Sequence, residues 1–85
     1  MTRSRVAAIR DRLTQTLAPT ELEVIDDSHK HVGHTGHQGA GHFTVKITAD
    51  CFRGKRLIER HRLVYEALGD LMQTEIHALA IEASE

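Results

Sequence analysis

The chain has 85 residues, 11 Lys and Arg against 12 Asp and Glu, and only 4% aromatic residues. That length predicts one small domain over residues 1–85 with no second core, and the near-neutral balance gives no bulk attraction to nucleic acid or an anionic membrane. A single cysteine, Cys51, excludes an intrachain disulfide and suits a reducing compartment, and no apolar run approaches the roughly 18 residues of a membrane span. The basic start, Met1 to Val6, lacks both the apolar stretch of a secretory signal and the amphipathicity of a transit peptide, so the expected location is cytoplasmic.

In chain order, Val6, Ile9, Leu13 and Leu17 recur at helical spacing, with Thr2 or Ser4 available as a cap and Pro19 as a stop. Leu22 to Ile25 reads as a strand ending at Asp26-Asp27-Ser28. Phe43, Val45, Ile47 and Ala49 alternate with His42, Thr44, Lys46 and Thr48, the pattern of a half-buried strand. After Gly54, one long helix is predicted to carry Leu57, Ile58, His61, Val64, Tyr65, Leu68, Leu71 and Met72 on a single stripe. Ile76 to Ile81 reads as a last short strand. The order indicates an α+β two-layer sandwich: a three-stranded sheet containing an antiparallel hairpin, with both helices covering one face.

Between the first two strands lies the most unusual stretch. From Ser28 to His42, five of the chain's seven histidines (His29, His31, His34, His37 and His42) are interleaved with four glycines. Neutral imidazole is the commonest metal-ligating side chain, and glycine turns at positive φ without steric cost, so such a loop can bring several imidazoles to one point. Residues Ser28 to Gly41 are expected to be the most mobile part of the free protein until a metal or partner orders them, because polar, glycine-rich sequence buries little. The plain alternative is a solvated hairpin whose histidines do nothing specific. His42 opens the second strand pointing opposite to Phe43, and is free either to join a site or to face water. His61 is expected to be a buried structural histidine, and Cys51 a small buried hydrophobe.

The second half carries a signature. Phe52-Arg53-Gly54-Lys55, the triplet Arg60-His61-Arg62 and the segment His77-Ala78-Leu79 occur in order, after Leu22-Glu23-Val24 and His42-Phe43-Thr44-Val45 upstream. Together these closely resemble the BolA family over nearly the whole chain. The resemblance implies an α-β-β-α-α-β arrangement like a class II KH domain, with a short helical turn near Phe52. It also implies a role as partner of a monothiol glutaredoxin, sharing a bridging 2Fe–2S cluster with glutathione supplied by the partner, in iron–sulfur trafficking or iron regulation.

Carried over by position, the family's histidine ligand in the last strand falls on His77, and its loop ligand, a His or Cys, falls on His31. His29 and His34 stand as loop alternatives, because this loop holds more histidines than the family pattern asks for. On sequence alone His77 reads more readily as a strand-end histidine bonded to backbone; the resemblance reverses that preference. Two imidazoles on one iron with thiolates on the other form a Rieske-like set, and this chain has no loop cysteine, so the thiolate sulfur must come from the partner.

A second class of function, a DNA-binding regulator of stress or morphology, is also implied by the resemblance. Arg53, Lys55, Arg56, Arg60 and Arg62 concentrate positive charge at the start of the long helix, an arrangement suited to phosphate contacts or to a protein partner. Against it, the GXXG loop of KH modules is missing, and of the three aromatics Phe43, Phe52 and Tyr65 two are expected in the core, leaving no stacking platform. No Ser/His/Asp order, paired carboxylates or phosphate loop suggests an enzyme, and no small-molecule substrate is expected.

Overall fold

Residues 4–27 and 41–85 are described in the computed structural model of the chain. Residues 28–40, with His29, His31, His34 and His37, lie outside them, and with them the expectation that this stretch is the most mobile.

Helix α1 spans Arg5–Leu17, strand β1 Glu21–Asp26 and strand β2 Gly41–Thr48. A 3₁₀ turn over Asp50–Phe52 then leads to α2 (Leu57–Leu68), α3 (Leu71–Thr74) and β3 (Ile76–Ser84). The chemistry of the ends explains the bounds. Ser4 caps α1, its Oγ accepting the Ala7 N–H at 3.0 Å, and the helix closes at Ala18 in the left-handed conformation just before Pro19. The long helix expected to reach Met72 is instead broken at Gly69, whose φ of 53° is a glycine conformation. Gly54, at φ 76°, makes the turn between Phe52 and α2, which explains a glycine in the Phe-Arg-Gly-Lys segment.

β2 is central, pairing antiparallel with β1 and parallel with β3. The alternation on β2 resolves as expected: Phe43, Val45, Ile47 and Ala49 join Ile9, Leu13, Phe52, Val64, Ala67, Leu68 and Ile76 in one buried cluster. Helix and strand residues share this cluster, so the helices cover one face of the sheet. Each fully buried large side chain contributes about 1.5–3 kcal/mol of burial free energy. On the opposite face, Glu23, Lys46 and Glu82 form one cross-strand row, and Ile25, Thr44 and Ala80 the next.

Helix α2 differs from the predicted stripe. Its core face is Val64, Ala67 and Leu68, with Leu63 packed against them, while Leu57 and Ile58 are each 61% exposed and Tyr65 42%. The small Ala67 counts as core, which rotates the buried face away from Ile58 and Tyr65. His61 is half-buried, not fully enclosed, and its Nε2 is shielded from solvent with no hydrogen-bond partner among the described residues. Cys51 is exposed: in the tight 3₁₀ turn its neighbour Phe52 takes the core position, so Cys51 must face outward.

Candidate metal centre

The two strands that carry His42 and His77 are neighbours in the sheet, and their pairing contains one irregularity. Gly41 pairs with Ile76, but the next residue, His42, pairs with Ala78. His77 is therefore an extra residue on β3, a bulge of the kind that re-aims a side chain. Ile76 stays buried, whereas His77 and Ala78 are both exposed. As a result the rings of His42 and His77 come together, with centroids 5.0 Å apart and planes tilted by 53°.

The surroundings are firm. The His42 carbonyl accepts the Asp27 N–H at 2.8 Å, and the Thr44 hydroxyl donates to Asp27 Oδ2. Asp27, His42, Thr44, Ala78 and Ala80 border a shallow depression of about 310 Å³. Among the described residues no group of three or more His, Cys, Asp or Glu is gathered closely enough to enclose a metal ion. Two imidazoles are present without a thiolate. Cys51 lies beyond the opposite end of β2, and the strand from His42 to Thr48 alone is roughly 20 Å long at ~3.3 Å per residue. This donor set fits half of a mixed nitrogen and sulfur centre, and does not fit a closed structural zinc site, which takes four protein ligands.

Of the predicted ligands, His77 is at the site, while His31 and its alternatives His29 and His34 lie outside the described residues. His42, read from sequence as open to either use, is the histidine the fold brings beside His77. The signal available in the sequence was its place on the outward face at the start of β2. What it faces depends on the register of β3.

The predicted basic surface divides. Arg53, Lys55, Arg56 and Arg62 are exposed, and the guanidinium groups of Arg53 and Arg56 lie at long range from the carboxylates of Asp50 (3.7 Å) and Glu59 (3.9 Å). Arg60 is different. Its side chain is 18% exposed and donates to the Lys55 carbonyl at 3.0 Å, the Ala83 carbonyl at 3.4 Å and Glu85 Oε2 at 3.0 Å. It ties the start of α2 to the end of β3, which gives it a structural role that its exposed neighbours do not share. Arg60→Ala is expected to lower stability by about 1–3 kcal/mol, because charge-assisted bonds are lost and two carbonyls lose a donor. Arg62→Ala is expected to change it by no more than about 0.5 kcal/mol. Urea melts of the two variants check the contrast.

A sequence model of the BolA family, described as BolA-like protein, matches residues 13–85. Among curated proteins, the chain is 44% identical over 86 residues to SufE-like protein 1, chloroplastic/mitochondrial, of Arabidopsis thaliana, covering 94% of this chain and 23% of that protein. It is 42% identical to Protein BOLA1, chloroplastic, of the same plant, covering 92% of this chain and 51% of the relative, so the chain spans about a quarter of the first of these proteins and about half of the second. It is also 37% identical to the DNA-binding transcriptional regulator BolA of Escherichia coli, covering 86% of this chain and 68% of that one. Among solved structures, the BolA domain of SufE1 from Arabidopsis thaliana superposes with a TM-score of 0.83 at 44% identity, covering 99% of this chain and 94% of that chain. The chain belongs to the BolA family, and its α+β fold is that family's fold.

Proposed function

We propose that this chain is a non-catalytic partner of a monothiol glutaredoxin that supplies the histidine half of a shared 2Fe–2S centre, in iron–sulfur trafficking or iron regulation. The observation that carries the reading is the placement of His77 on a bulge beside His42, with no thiolate near them among the described residues. A centre of that kind needs sulfur donors, and the glutaredoxin cysteine and glutathione provide them. The cluster, when held, supplies one-electron chemistry and a potential raised by imidazole relative to all-thiolate ligation. The chain's own part is to present His77 from the sheet with a second imidazole, for which the family pattern offers His31. The neutral imidazole nitrogen is the ligating form, so coordination competes with protons. No described helix is long and apolar enough to cross a membrane, and the lone exposed Cys51 accords with the reducing cytoplasm as the place of action.

The test is to mix the chain with a monothiol glutaredoxin, glutathione, ferrous iron and sulfide under anaerobic conditions, and to record visible absorption and circular dichroism. A coloured heterodimer with a spectrum distinct from that of the glutaredoxin alone is the expected result. A glutaredoxin spectrum unchanged by the chain overturns the reading.

DNA binding stands second, favoured by the exposed cluster Arg53, Lys55, Arg56 and Arg62 and by the name of the Escherichia coli relative. If it holds, retention on duplex DNA falls steeply with salt, and replacing those four residues by alanine flattens the slope of log affinity against log salt by up to about four units. Retention that ignores both salt and these substitutions removes it.

A further inference from the structure

We propose that His42 is the second histidine ligand, so that His42 and His77 form a metal clamp built on adjacent strands. The identity of the metal as the cluster's iron rests on the shared-cluster reading above, whereas the clamp itself is a property of this chain alone.

Three features of the fold point to it. The first is the bulge. In regular pairing, the residue after buried Ile76 would pair with His42 and the one beyond it would turn inward. The extra residue leaves both His77 and Ala78 exposed and sets the His77 ring against that of His42 across the strand boundary. The second is spacing. Two imidazoles bound to one ion, with metal–nitrogen bonds of roughly 2.0–2.1 Å and a near-tetrahedral angle, hold their ring centroids about 5 Å apart. The observed separation is 5.0 Å, so the pair can close on an ion by rotating about side-chain bonds without moving either strand.

The third is rigidity. His42 lies in the central strand, its carbonyl held by the Asp27 N–H, and His77 lies in the neighbouring ladder. A pair fixed this way forfeits little conformational entropy on binding. Asp27, held by Thr44, borders a depression together with His42 and so places a carboxylate on the His42 side of the pair.

The experiment removes the other histidines first. In the variant H29N/H31N/H34N/H37N, Zn²⁺ is titrated while the imidazole ring resonances of His42, His61 and His77 are followed by long-range proton–nitrogen spectra. The expected result is a one-to-one titration that moves His42 and His77 together and leaves His61 in place. Adding His42→Asn to that background should weaken Zn²⁺ binding about tenfold or more, that is, by at least about 1.4 kcal/mol. Zn²⁺ that leaves the His42 ring unshifted overturns the proposal, and this result needs no substitution at His42 itself. The glutaredoxin complex then separates the two readings. A coloured complex whose two-nitrogen hyperfine signature is unchanged by His42→Asn puts the second ligand elsewhere and leaves the glutaredoxin reading standing. Zn²⁺ held by the pair, in a chain that forms no coloured complex, keeps the clamp and removes the glutaredoxin reading.

Discussion

Replacing His77 by alanine is expected to abolish the histidine-ligated spectrum of the proposed glutaredoxin complex while leaving the fold nearly as stable as before. The imidazole is exposed, on a bulge outside the buried cluster, so truncation removes no core packing. A stability change within about 0.5–1 kcal/mol is expected for such a site. The coordinating role proposed for it, by contrast, would have no substitute at that position on the sheet, since the residues beside it, Ile76 and Ala78, have no ligating atoms in their side chains. Visible circular dichroism of the mixed complex and a thermal melt of the free variant separate the two effects. An unchanged cluster signal in a folded His77→Ala chain overturns the assignment of His77.

Phe52→Ala has the largest expected effect on stability, a loss of about 3–5 kcal/mol. Phe52 is fully buried although it sits in a three-residue 3₁₀ turn, a single large side chain pinning the β2–α2 connection to the core. Its N–H also donates to the Ala49 carbonyl at 3.1 Å, so the turn and the core anchor are one unit. Against a total of about 5–15 kcal/mol for a domain, such a loss leaves a marginal fold. At about 4–8 °C per kcal/mol for a chain of this size, the melting midpoint should fall by more than 12 °C. The same substitution frees the turn that carries Arg53, Lys55 and Arg56, so any anion affinity of that surface should weaken with it. A melting midpoint within about 4 °C of the parent would show that the turn is not held through Phe52.

The two predictions draw on different parts of the sequence, and the difference explains what was legible. Phe52, Gly54 and Lys55 are contiguous, and their jobs are local: a core anchor, a positive-φ turn and an exposed cation. The alternation from Phe43 to Ala49 likewise reports its own burial, because a strand beside a core must place every second residue inward. Ser4, Leu13 and Pro19 mark α1 by rules that act within a few residues. The family signature rests on such segments, which is why it could be read before the fold was known. Where small residues or long side chains decide the outcome, local rules fail. The size of Ile58 and Tyr65 points to an α2 stripe that runs through both, yet the short side chain of Ala67 lets the helix turn its other flank to the core. Arg60 resembles its neighbours Arg56 and Arg62 in sequence and differs only because the end of β3 comes within reach of its guanidinium.

By itself the sequence determined the element order, the alternating core face of β2, the caps and breaks of α1, and His77 as the histidine of the last strand. Only the tertiary structure decided that β3 lies parallel against β2, and that one extra residue in its register brings His77 beside His42, 35 positions earlier. The physical reason is that periodicity records which side of an element is buried. Register between distant strands is set by how whole faces dock, and a shift of one residue changes every cross-strand partner without altering the pattern along either strand.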